Sequence, residues 1–319
     1  MTQAEEGKVL GVVGLGSMGY GAAVSALRRG VDTWGLDTRE QARARFAAQG
    51  GRSTGSLAEL ASQCDVVVVL VVNAAQTEAV LFGSDAQEGL AARMKRGSVI
   101  VASATVDPAL PPAWEARLAE RGLWLVDGPV SGGAAKAADG QMTVMASGRP
   151  EAFAAAGGLL DAIAGKVYRL GDRAGIGSTV KMVNQHLAGV HIAAACEAMA
   201  LGMRAGAEPR QLYEVICNSA GSSWMFQNRV PHILEGDYTP LSSVDIFVKD
   251  LGIVLDAARK LQFPLPLAAQ AHQLYLAAAA AGHGAEDDAA VIKFYAALAG
   301  LELPRAASKA AEAEAEATR

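Results

Sequence analysis

The segment GSTVKMVNQHLAGVHIAAACEAMALG, Gly177 to Gly202, is nearly all apolar, yet an ammonium and two carboxamides stand near its start. Asn184 and Gln185 follow Lys181 by three and four positions, so on a helix the three share one face. A cation on a segment made for burial is costly unless it is paired or has work to do. If that face meets a cleft, Lys181 is the strong proton donor on it. Hydride transfer at an alcohol carbon needs a group to take or return the hydroxyl proton, and a lysine in a partly dry cleft can do so near neutral pH. The residues alone leave an equal alternative, a lysine snorkelling from a helix end. Gly175 and Gly177 just before it let other backbone pack close.

A second set of residues is suited to holding phosphate. GLGSMG (Gly14, Leu15, Gly16, Ser17, Met18, Gly19) has the G-x-G-x-x-G spacing between a strand-like and a helix-like run. Its first glycine permits a tight turn, its second lets backbone approach a pyrophosphate, and its third lets helix and strand pack, with the helix N-terminus facing the anion. Asp37 closes the next strand about 20 residues on, where an acid accepts the adenosine ribose hydroxyls. A carboxylate there welcomes a free 2′-hydroxyl and repels a 2′-phosphate, so the expected cofactor is NAD rather than NADP. Arg39 is read as a solvated residue of the following helical turn.

Three polar clusters are expected beyond the carboxyl ends of the strands, where doubly wound sheets bind ligands. Asn73 ends VVVVLVVN, Ser103 and Thr105 follow SVIVA, and DGPVSGG ends with Ser131, Gly132 and Gly133. The last set offers a hydroxyl and two open backbone N–H groups, a nest that suits a carboxylate. A plain strand-to-helix turn accounts for it equally well.

The elements that must position these residues follow from hydrophobic period. Short β-branched runs (KVLGVVG, DTWGLD, DVVVVLVV, GSVIVASA, LWLVDGPV) alternate with helix-like stretches, so a mostly parallel sheet with right-handed crossovers is expected. GQMTVMASG and KVYRLG read as late strands around a helix from Pro150 to Ala164. From Gly177 on, no convincing strand is found. The expected fold is α/β: a Rossmann-type doubly wound parallel sheet over 1–171, then an all-helical domain over 172–319 that begins with the long linking helix and serves substrate binding and dimerisation. The last residues, RAASKAAEAEAEATR, are Ala/Glu low complexity.

The totals exclude several classes. Of 319 residues, 51% are apolar and 19% charged, enough for a sizeable core. With 28 basic against 33 acidic residues and no basic stripe, neither nucleic acid nor an anionic membrane surface is an expected partner. The purely apolar run Val66 to Val72 is too short to span a bilayer. Cys64, Cys196 and Cys217 lack metal-ligand spacing, His186 and His191 lie five apart, and no metal is expected. The N-terminus lacks the build of a signal peptide, so a reduced, cytoplasmic protein is expected. The linking helix is apolar nearly all round, which predicts a second copy packed on it, as a homodimer or homotetramer.

Taken in order, GLGSMG, ASATVDP, DGPVSGG, GSTVKMVNQ and FVKDLG resemble the β-hydroxyacid dehydrogenase family over nearly the whole chain. That resemblance implies an NAD-dependent oxidoreductase acting on a small hydroxy acid, with Lys181 as the catalytic lysine. It further implies that Ser131, Gly132, Gly133 and Asn184 hold the carboxylate region of the substrate, and that Thr105 and Lys249 lie against the nicotinamide end of the cofactor. VVNAAQTEAVLFG, SGGAAKAADGQMTVMASG and the run from Ser222 to Gly252 resemble the branch acting on the four-carbon sugar acid L-threonate; the alternatives are a three-carbon acid such as tartronate semialdehyde or 3-hydroxyisobutyrate, and a cofactor-binding protein without catalysis. Lys136 stands where the wider family has glycine. Ser222, Ser223 and Asn228 are candidate partners for extra substrate hydroxyls, or else helix caps.

Overall fold

The computed structural model describes residues 7–306 apart from residue 86. The Ala/Glu-rich run 307–319 and the first six residues lie outside it. Two compact units divide the chain, Met1–Met182 and Val183–Arg319. The division falls inside one helix, Ile176–Arg204.

The strands are β1 Leu10–Val13, β2 Thr33–Leu36, β3 Arg52–Thr54, β4 Val66–Val69, β5 Gly83–Ser84, β6 Gln87–Glu88, β7 Val99–Ala102, β8 Trp124–Asp127, β9 Val130–Ser131, β10 Met142–Ser147 and β11 Ala164–Gly171. The main sheet runs β11-β10-β8-β7-β4-β1-β2-β3, with β9 paired to β10. β3, β2, β1, β4, β7 and β8 are parallel to one another, while β10 is antiparallel to β8. The order reverses beside β1, which places the crevice of a doubly wound sheet at the carboxyl ends of β1 and β4.

Both faces of this sheet are covered, which explains its near-continuous apolar strands. Alternate residues supply two separate cores. Val12, Val66, Val68, Val99, Val101 and Val126 enter one, and Val13, Val67, Val69, Ile100 and Leu125 the other.

Several local expectations need correction. Only Val66–Val69 of DVVVVLVV is strand, because the chain must leave the sheet to reach the helix that starts at Ala74. The helix expected from Pro150 to Ala164 breaks into Pro150–Ala156 and Leu159–Ile163 at Gly157, where φ is +57°. β3 and the β5–β6 ribbon are too short to leave a periodic signal.

The second unit is helical among its described residues, apart from an isolated bridge between Ser243 and Asp287. Helices Pro209–Cys217, Trp224–Glu235, Val244–Lys260, Pro266–Ala278 and Ile292–Ala299 follow the linking helix. Tyr275 is fully buried, stacks on Phe247 at 5.2 Å, and donates its hydroxyl to Gly189 O on the linking helix at 3.1 Å. The linking helix, at 29 residues, is long and apolar enough by length and composition to cross a membrane, a length that a count of uninterrupted apolar runs does not reveal. Only part of that apolar surface is buried: Ile192, Cys196 and Met199 are at most 1% exposed, whereas Val183, Leu187 and Leu201 stand exposed.

Candidate active site

The glycine loop lies between β1 and the helix Ser17–Arg28. Gly14 has φ +93°, and a Cβ there would stand 2.5 Å from Leu70 O. A Cβ on Gly19 would stand 1.8 Å from Gly14 O, so both glycines are required by the close passage of backbone. Gly16 is different: a Cβ there meets nothing within 4 Å. Gly16 is also the N-cap of the helix, and no side chain satisfies the first N–H groups. Open space above a helix N-terminus with free donors fits a dinucleotide pyrophosphate.

Asp37, just past β2, is 8% exposed and accepts from Leu15 N at 2.8 Å and from Arg39 N at 2.9 Å. Arg39 Nε and Nη2 also reach its two oxygens, at 3.1 and 3.2 Å. Arg39 is therefore exposed but paired, not simply solvated as its sequence position suggests. Burial pushes the Asp37 carboxyl up, but the hydrogen bonds from Arg39 and Leu15 together with the Arg39 charge outweigh it and hold the group below the usual carboxylate range.

At the other strand ends, Asn73 caps the helix Ala74–Phe82, its Oδ1 accepting from Gln76 N at 2.9 Å. Thr105 is half-buried beyond β7. Ser103 beside it is 5% exposed, with an Oγ that has no hydrogen-bond partner. Ser131 ends β9, and Gly132 (φ +128°) and Gly133 (φ +69°) turn the chain into the short helix Gly133–Ala138. The Lys136 stem folds back over Gly132, where a Cβ would come within 2.8 Å of it.

Lys181 is 7% exposed, one turn into the linking helix. A residue that sequence reasoning passes over holds that turn. Asp127, the last residue of β8, is 1% exposed and accepts from Gly175 N at 2.9 Å, Ser178 N at 2.8 Å and Ser178 Oγ at 2.6 Å. Ser147 Oγ donates to the same carboxylate at 3.3 Å and accepts from Gly177 N at 2.9 Å. Gly177 is glycine because a Cβ would stand 2.3 Å from Met145 O and 2.6 Å from Asp127 O. Burial raises the Asp127 carboxyl above its ordinary range against the pull of these donors. The one sequence signal for it is the DGPVSGG motif, which contains Asp127.

In the second unit, Asn184 and Lys249 are joined by a chain of hydrogen bonds. Lys249 Nζ donates to Asp250 Oδ1 at 2.5 Å, Gln185 Nε2 donates to Asp250 Oδ2 at 2.5 Å, and Asn184 Nδ2 donates to Gln185 Oε1 at 3.0 Å. The ammonium can only donate, so Asp250 accepts, Gln185 turns its NH₂ to Asp250 and its oxygen to Asn184, and Asn184 is left presenting Oδ1. The candidate hydroxyl-binding residues each accept a hydrogen bond within the second unit. Ser223 Oγ caps its helix by accepting from Phe226 N, Ser222 Oγ accepts from Gln227 Nε2, and Asn228 Oδ1 accepts from Arg229. No cluster of metal-ligating side chains occurs among the described residues.

Two family models match consecutive parts of the chain. The NAD binding domain of 6-phosphogluconate dehydrogenase matches residues 9–171, and the NAD-binding domain of NADP-dependent 3-hydroxyisobutyrate dehydrogenase matches 175–295. An L-threonate dehydrogenase of Cupriavidus necator is 61% identical over 92% of this chain and 97% of its own length. One from Escherichia coli strain K12 is 51% identical over 94% and 97%. A crystal structure of a 3-hydroxyisobutyrate dehydrogenase from Salmonella typhimurium superposes with a TM-score of 0.85 at 52% identity, covering 90% of this chain and 99% of that one. With a glycine cradle for a dinucleotide and matches that span nearly the full length, the chain belongs to the β-hydroxyacid (3-hydroxyisobutyrate) dehydrogenase family of NAD-binding oxidoreductases.

Proposed function

We propose that the protein is an NAD-dependent dehydrogenase that oxidises L-threonate at C2 to the 2-oxo acid. The observation that carries this reading is the 61% identity, over nearly all of both chains, to an L-threonate dehydrogenase. When bound, NAD supplies the hydride acceptor. Gly14, Leu15, Gly16, Ser17, Met18 and Gly19 hold its pyrophosphate on backbone N–H groups, and Asp37 takes the adenosine ribose hydroxyls, which disfavours a 2′-phosphate. Asn73, Thr105 and Lys249 are read as contacts toward the nicotinamide half. Lys181 Nζ accepts the C2 hydroxyl proton as the C2 hydrogen leaves with its electron pair, and returns it in the reverse direction. Ser131 and the nest at Gly132 and Gly133 bind the carboxylate. Asn184 presents its oxygen to a substrate hydroxyl.

The Salmonella relative's name favours a second reading, oxidation of 3-hydroxyisobutyrate. NADH formation with L-threonate, other tetronates, glycerate and 3-hydroxyisobutyrate decides between them. L-Threonate should give the highest kcat/KM, and a win for 3-hydroxyisobutyrate would overturn the assignment.

The proposal extends to assembly. Val183, Leu187 and Leu201 of the linking helix are 52%, 48% and 69% exposed, which supports a second copy packing there as a homodimer or homotetramer. Sedimentation at a monomer mass would refute it. Three free cysteines accord with a reducing, cytoplasmic setting.

A further inference from the structure

We infer that Asp127 is the positioning residue for Lys181, setting the rotation and axial position of the helix turn that carries the proton-transferring amine. This rests on the reading of Lys181 as the proton carrier.

The first N–H groups of a helix have no partner within the helix, and a normal N-cap supplies one or two acceptors from the residue just before it. Here the acceptors come from the sheet instead. The Asp127 carboxylate takes Gly175 N, Ser178 N and Ser178 Oγ, and Ser147 Oγ takes Gly177 N while donating to the same carboxylate. Asp127 and Ser147 face each other across the antiparallel pairing of β8 and β10, so the anchor is part of the sheet. An anchor on contiguous sequence would fix only the local turn. One 48 to 51 residues away fixes the helix against the strand.

The position of Lys181 follows from that anchor. It lies three residues beyond Ser178, about 4.5 Å along the axis. Helical side chains lean toward the N-terminus, so its stem runs back over the anchored turn. Asp127 also stands four residues before Ser131. The same carboxylate thus ties the lysine-bearing turn to the strand leading into the carboxylate nest. Gly177 closes the arrangement, since the approach to Met145 O and Asp127 O admits no side chain. Two buried N–H donors and two hydroxyls depend on this group, so its loss frees the turn to shift. A displacement of about 1 Å at a reacting group costs about a hundredfold in rate.

The test is single-turnover NADH formation with NAD and L-threonate in Asp127→Asn, which keeps the shape and weakens the acceptor. The rate constant reads geometry, whereas the amplitude reads the fraction of folded, competent sites. Asp127→Asn should slow the rate constant about ten- to a hundredfold, with amplitude and NAD affinity within about twofold of wild type. Ser178→Ala, which leaves the carboxylate in place, should slow it a few-fold. A wild-type rate constant in Asp127→Asn, with or without reduced amplitude, overturns the inference. If Asp127→Asn does not fold, Ser178→Ala decides on the same criterion. Lys181→Met, measured alongside, separates the two claims. If Lys181→Met keeps its rate, the proton-carrier reading fails. If it is dead while Asp127→Asn reacts normally, only the positioning role fails.

Discussion

The glycine loop and the start of the linking helix are both helix N-termini in the same unit, and they meet the same physical problem in opposite ways. At Gly16 the first N–H groups have no side-chain acceptor and the space above them is open. At Gly175, Gly177 and Ser178 the N–H groups are taken by Asp127 and Ser147. An uncapped N-terminus retains its donors and its positive dipole end for an anion from outside. A clamped one has committed the N–H groups of Gly175, Gly177 and Ser178 to fixed acceptors and gains a defined position. The first arrangement suits a cofactor that enters and leaves, and the second suits a side chain that must stay in register with a reacting atom.

The comparison can be broken first at the open end. Gly19→Val places branched carbon where even a Cβ would stand 1.8 Å from Gly14 O. NAD affinity, read by titration of protein fluorescence, should fall at least about a hundredfold, equivalent to about 2.7 kcal/mol. Retained affinity would mean that the loop can open without cost. A smaller change is expected at Asp37. Wild type should prefer NAD over NADP by at least about tenfold in kcat/KM, the size of one modest charge conflict, and Asp37→Ala should narrow that gap. Equal use of both cofactors by wild type would show that Arg39, already against Asp37 at 3.1 Å, swings to hold a 2′-phosphate instead.

The smallest effect concerns stability, away from both helix ends. Asp287 and Asp288 are fully buried beside a single guanidinium, Arg229, at 4.0 and 2.6 Å. Burial raises the Asp288 carboxyl to about 7, against the attraction of Arg229 and with the repulsion of Asp287. The folded state therefore holds this proton more tightly than the unfolded state does. Its stabilising contribution is present in acid and is lost as pH rises from about 4 to about 7. The slope is at most about 1.4 kcal/mol per pH unit for one proton, or about 2–4 °C in Tm. Asp288→Asn should flatten the Tm profile between about pH 4 and 7, and an unchanged slope would assign it to other groups.

How legible each helix end is follows from the same contrast. A site built from backbone needs glycines at fixed spacing, so Gly14, Gly16 and Gly19 stand out in the amino-acid sequence itself. The strands are legible because valines buried on both faces leave near-continuous apolar runs. A site built from a buried carboxylate and distant N–H groups leaves no local pattern. Asp127 reaches Ser178 over 51 residues, and Gln185 reaches Asp250 over 65. Asn73 is a third case. Its place at a strand end points to a ligand contact, and its carboxamide oxygen also caps a helix, a second role that an Asn before AAQTEAVLF signals locally. Ser222 and Ser223 are of the same kind.

The central claim is that proton transfer belongs to the clamped helix and cofactor binding to the open one. Lys181→Met tests it most directly, because it keeps a long flexible stem and removes only the ammonium. NAD affinity and the turnover of L-threonate should be measured on the same preparation. The account predicts NAD affinity nearly unchanged and kcat lower by at least about a hundredfold, the lower bound for losing a general acid–base group. A variant that binds NAD and keeps more than about a tenth of the wild-type rate would contradict it, since so small a loss does not fit a missing proton carrier.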